Sequence, residues 1–142
     1  MEKETAADQE LRQVMADFLE MGHVENIMAM VRQDPSLYRL TGGLLRDERF
    51  MVRVGVAVLF ETMREERPNE VILAIPSLKA LLTEPTPWIR GEAANILGLI
   101  NTPESLALLA TLRNDSEPQI REIVGDYLPA TPEGAAKAKG KG

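Results

Sequence analysis

Three times along the chain an acid is followed six residues later by an arginine: Asp47 and Arg53, Glu84 and Arg90, Asp115 and Arg121. Aligned on the arginines, a leucine stands nine residues upstream in every copy (Leu44, Leu81, Leu112). A β-branched residue comes immediately before (Val52, Ile89, Ile120), and a small one lies four after (Ala57, Ala94, Gly125). A large apolar residue lies seven after (Phe60, Leu97, Leu128). Six agreeing columns in three copies are hard to obtain by chance, and they define an internal repeat. A repeat of this length cannot bury its own apolar face, so the copies must stack.

The segment after each arginine is helical in pattern. Arg90 to Gly98 is rich in helix formers and lacks alternation. Arg53-Val-Gly-Val-Ala-Val admits a strand, because β-branched residues at every second position favour one. The aligned copy decides for a helix over Arg49 to Glu66. That segment is apolar nearly all round and must be covered on more than one side.

Upstream, Leu11, Val14, Met15, Phe18 and Leu19 form one stripe of a helix from about Ala6 to Glu20, which Met21-Gly22 ends. A second helix, about His23 to Gln33, carries Val24, Ile27, Met28 and Val31 and stops before Asp34-Pro35. This pair, residues 5–33, lacks the acid and arginine and is expected to cap the open end of the stack. Repeats are expected at 36–66, 68–100 and 103–128. Gly42-Gly43 weakens the leading helix of the first, and Pro76 should kink that of the second. Thr102 and Ser116 are expected to cap the two helices of the third. The expectation is one all-α domain over residues 1–128: a short right-handed α-α superhelix of about eight helices. Residues 129–142 have little to bury and are expected to be a disordered tail.

These residues resemble HEAT repeats, in particular the short type of the phycobilisome-lyase HEAT-like family. The resemblance rests on Pro76, Glu84 and Ile89-Arg90, and it covers residues 36–128. The arginine-to-arginine periods of 37 and 31 residues are shorter than those of long HEAT arrays. Two copies depart from the pattern, with Arg39 and Ala107 where the proline would be. The resemblance implies that Asp47, Arg53, Glu84, Arg90, Asp115 and Arg121 form a structural ladder along the stack. Asp47 and Asp115 would accept turn N–H groups and pair with a neighbouring repeat's arginine.

The inventory of chemistry is thin. A single histidine (His23) and no cysteine leave no metal cluster, no thiolate and no disulfide. Gly42-Gly43 lacks the context of a phosphate loop. HEAT-fold hydroxylases hold a di-iron centre with paired His-Glu motifs, and none is present. No cofactor is expected, and no catalytic residue or metal ligand is assigned. The net charge of −6 argues against nucleic acid and acidic membranes, both of which need a basic face. Glycosylases built on HEAT-like repeats use a basic groove with aromatics, whereas Trp88 is the only tryptophan here. No apolar stretch suits a leader or a membrane span, which makes the cytoplasm the expected location.

What remains is binding to another protein. Trp88 occupies a column held elsewhere by Met51 and Gln119, so it either covers the turn or anchors a partner. Gly91 and Asn95, with Glu122 and Asp126 one repeat later, are expected to face outward as contact residues. Val54 and Val58 share those columns and must be covered either by the N-terminal helices or by another chain, which leaves a homodimer open. The expected activity is that of a non-catalytic scaffold or accessory chaperone. The resemblance also implies an alternative, a bilin-lyase-like subunit acting on a phycobiliprotein.

Overall fold

A computed structural model describes residues 4–129. Helix α1 (Ala6–Glu20) begins at Thr5, whose hydroxyl accepts the Asp8 N–H at 3.0 Å. It ends at Gly22, whose φ of 84° is left-handed. Gly22 N donates to Leu19 O and His23 N to Phe18 O, closing the helix end while the Phe18 and His23 rings meet edge to face. Helix α2 (Val24–Gln33) comes next and buries Ile27, Met28 and Val31.

The leading rod of the next unit is broken, a 3₁₀ segment (Pro35–Leu40) running into the five-residue α3 (Thr41–Leu45). Its companion α4 (Phe50–Glu66) is one uninterrupted helix. In the following unit Pro76 does more than kink. The rod divides into α5 (Pro68–Val71), a 3₁₀ turn (Ile72–Ala74) and α6 (Ile75–Lys79), with Pro76 in the first turn of α6 where its missing N–H costs nothing. Helix α7 (Pro87–Ile100) ends on Asn101 at φ 56°, a left-handed position that asparagine tolerates. The last unit is α8 (Pro103–Ala110) and α9 (Pro118–Tyr127). Thr102 caps α8 in a reciprocal box with Ser105. Ser116 does not cap α9; in the turn before it the Asp115 carboxylate accepts the N–H of Glu117 at 3.0 Å.

Counted as rods, these are eight helical segments with no strand among the described residues, an all-α superhelical stack. Helix α4 packs against α1 and α2 on one side and α7 on another, and α7 packs on α8 and α9. That explains why α4 and α7 lack a polar face. On α7, Ile89, Ala93, Ala94 and the run Ile96 to Ile100 are all buried. The core is aliphatic apart from Tyr38 and Phe60, which meet edge to face at 5.5 Å between centroids. Two glycines are fixed by close approach. A Cβ at Gly42 would stand 2.7 Å from Ser77 O, and one at Gly98 would fall inside the Tyr127 ring. Val14, expected in the α1 stripe, is 47% exposed, its place in the core taken by Ala16. Of the expected tail, residues 130–142 lie outside the described residues; the Pro129 carbonyl accepts from Arg113 at 3.2 Å.

Candidate protein-docking surface

The six-residue spacing of acid and arginine has one mechanical meaning in all three copies. Arg53 Nη1 donates to the Asp47 backbone carbonyl at 2.8 Å, Arg90 Nη1 to that of Glu84 at 2.7 Å, and Arg121 Nη1 to that of Asp115 at 2.5 Å. Each arginine thus ties the start of its own helix to the turn before it. The first two also reach forward. Arg90 grips Asp115 of the next unit through Nε and Nη2, both at 2.9 Å, with Arg90 only 12% exposed and Asp115 only 7%. Arg53 Nε meets Glu92 on α7 at 2.8 Å.

The acids divide differently from the expectation. Glu84 is held by Arg46 of the preceding unit at 2.8 Å, not by Arg53. Among the described residues no arginine of the α1/α2 pair bonds Asp47; Arg12 on α1 acts on it through its charge alone. Arg49 supplies the bonds instead, meeting Asp47 through Nε, Nη2 and its backbone N while Nη1 reaches Asp17 and Glu20 on α1. Arg49 carries no signal in the repeat, since the equivalent positions are Thr86 and Glu117.

These pairings set the titration. The Arg90 guanidinium holds the Asp115 carboxyl below its ordinary 3.8, as Arg49 does for Asp47 and Asp17. A carboxyl depressed in the folded state contributes stability above its unfolded pKa and loses it as the pH falls through the folded value. The urea midpoint is therefore expected to stay level from about pH 7 to 5 and to drop below about pH 4. In Asp115→Asn the plateau is lower and the acid slope shallower. An equally steep slope in that variant would show that this carboxyl is not a source of it.

Arg53 does one thing more. Its guanidinium carbon lies 4.3 Å from the Trp88 ring centroid and 5.5 Å from that of Phe50, both within cation–π range. The rings are themselves open to solvent, Phe50 at 65% and Trp88 at 38%, and Met51 beside them is 50% exposed. The repeat pattern does not single out Phe50. Its column holds Pro87 and Pro118 in the other copies, first-turn positions that face out, and that is the one signal the sequence offers.

The remaining candidates do not join this patch. Gly91 is buried, because α9 covers that side of α7; Ile120 and Ile123 lie 3.8 and 3.6 Å from where its Cβ would be. Asn95 Oδ1 accepts the Tyr127 hydroxyl at 2.6 Å, so it too serves the α7–α9 contact. Glu122 and Asp126 stand in the same columns one repeat on, exposed, with no described helix beyond them. Val54 is half-buried on α4, against which α1 and α2 pack, and Val58 remains 38% exposed at a shallow depression with Val24, Met28 and Arg32.

Among the described residues no group of three potential metal ligands comes together, and no helix is long and apolar enough to cross a membrane. Comparison with curated proteins and with solved structures finds no match. The family model of HEAT repeats matches residues 37–128, well over half of the chain, and distinguishes no subtype within them. The repeated arginine, its turn carbonyl and the stacked second helices all lie within this match, and the chain belongs to the HEAT-repeat family.

Proposed function

We propose that the chain is a non-catalytic protein-binding scaffold, of the accessory-chaperone kind, that docks its partner on the patch formed by Phe50, Met51, Arg53 and Trp88. HEAT repeats generally mediate protein–protein interaction, which sets the class of activity. The observation that carries the site is the arginine held between two exposed aromatic rings at the starts of adjacent helices. Aromatic and arginine side chains dominate interface energetics, and those already ordered lose little entropy on binding. Here the backbone ties of Arg53 and its bond to Glu92 order the cation, and the cation in turn orders the rings.

Affinity capture from native lysate, quantified by mass spectrometry for the wild type and Trp88→Ala side by side, tests the reading. A partner retained by the wild type and weakened at least about ten-fold by the variant is expected, since removing an anchoring tryptophan costs about 2 kcal/mol or more. Equal recovery of every captured protein would move the docking surface elsewhere.

A further inference from the structure

Helix α4 shows solvent a seam that packing within the chain does not use. Met51, Val54, Val58, Glu61 and Glu65 follow one another at steps of three and four residues, the spacing at which one helix meets another. Met51 is 50% exposed and Val58 38%, with Val54 half-buried between them, and Glu61 and Glu65 are exposed. The seam starts in the docking patch and runs beyond it, since Val58 lies seven residues past Met51, about 10 Å of helix.

The two acids of the seam lack the partners that neighbouring acids have. Glu66, the next residue, is gripped by Arg32 through Nε and Nη2 at 2.6 and 2.8 Å. Glu92 has Arg53, Glu84 has Arg46 and Asp47 has Arg49. Among the described residues Glu61 pairs with no cation. Glu65, its side chain 79% exposed, has only Arg64 at 3.6 Å, and Arg64 is turned to the Leu99 carbonyl on α7. The two acids stand four residues apart on one helix, where like charges repel, and Glu65 lies in the last turn, beside the helix's negative end.

We infer that the α4 seam takes an amphipathic helix of a partner protein, apolar where it meets Met51, Val54 and Val58 and basic where it meets Glu61 and Glu65. The inference rests on the docking reading above, because Met51 belongs to both surfaces, and it adds the partner's chemistry. The spacing selects a helix, since an extended segment repeats every second residue and cannot follow a seam of threes and fours. The unpaired carboxylates select its charge. A second copy does not satisfy the seam, because pairing it with itself sets Glu61 and Glu65 against apolar residues or against each other.

Fluorescence anisotropy on the full chain tests this with three labelled peptides matched in length to the 17-residue α4. The first has leucines at steps of three and four in one half and lysines at the same steps in the other. The second replaces lysine by glutamate, and the third is the first in scrambled order. The lysine peptide is expected to bind at least about ten-fold more tightly than either of the others. Glu61→Gln and Glu65→Gln should each weaken it by about three-fold and flatten its salt dependence. Val58→Asn, a surface change that leaves the circular dichroism spectrum intact, should weaken it by about five-fold. Glu122→Gln, at an equally exposed acid on α9, should leave it unchanged. Equal binding of the scrambled peptide, or equal losses in Glu122→Gln and Glu61→Gln, would reduce the effect to net charge and overturn the inference. So would a dimer of the chain alone in sedimentation equilibrium that Val58→Asn abolishes, which would give the seam to a second copy. A lysate partner lost in Trp88→Ala, beside lysine and glutamate peptides that bind equally, would sink this inference and leave the docking patch standing. Peptide binding that depends on Val58 and Glu61, beside equal lysate recovery in Trp88→Ala, would keep the seam and remove Trp88 from the docking surface.

Discussion

Arg90→Met is expected to lower the stability of the chain by about 3 kcal/mol, the cost of stripping a partly buried carboxylate of two charge-assisted bonds. At this chain length that corresponds to a fall in melting temperature of roughly 10 °C. Methionine keeps the aliphatic stem and removes the guanidinium. Two bonds to Asp115 disappear, together with those to the carbonyls of Glu84 and Pro85. The Asp115 carboxylate, 7% exposed, then keeps only the Glu117 N–H as a bonded partner. The same change at Arg121 is expected to cost less than about 1 kcal/mol, because that side chain is exposed and among the described residues makes one bond, to the Asp115 carbonyl. Urea titrations of the two variants side by side measure the contrast. Equal losses would mean that the column matters only within its own turn.

Phe60→Ala is expected to cost about 4 kcal/mol, since truncating a fully buried phenylalanine leaves a cavity as well as losing transfer energy. Phe60 has no exposed surface and meets Tyr38 edge to face, joining α4 to the broken rod before it. Tyr38 is buried as well. Its hydroxyl has no hydrogen-bond partner among the described residues, and burial, aided by the charges of Glu70 and Glu66, pushes its pKa up to about 12. Removing the Phe60 ring would also strip the packing that holds this unpartnered hydroxyl in place. Phe60→Leu keeps most of the volume and should cost about 1.5 kcal/mol or less. Denaturation of both variants decides whether the aromatic pair or mere apolar volume holds the joint.

The repeated phrase is legible because it encodes a local bond. An arginine reaching the carbonyl six residues back needs no knowledge of the rest of the fold, and it marks the starts of α4, α7 and α9 to within a few residues. The cap at Thr102 and the stop at Gly22 are local in the same sense. The features that escape the sequence depend on which side the next unit packs. Gly91, expected outside, is covered by α9, whereas Glu122 in the same column is exposed because no described helix lies beyond it. Arg53 finds Glu92, which lies outside the repeated columns, and Arg49 replaces a partner that the first helix pair does not provide. The break at Pro76 is expected as a kink, but α6 is short enough that the proline becomes a helix start.

The stack depends above all on coupling between neighbouring units, and a double-mutant cycle on Arg90 and Asp115 measures that coupling directly. Urea unfolding of the wild type, Arg90→Met, Asp115→Asn and the double variant gives the interaction energy. If the pair joins the second unit to the third, the two losses should fall short of additivity by about 1.5 kcal/mol or more, as for residues within one bonded network. Losses that add within about 0.5 kcal/mol would contradict it and leave that joint to the Tyr127–Asn95 bond and apolar packing.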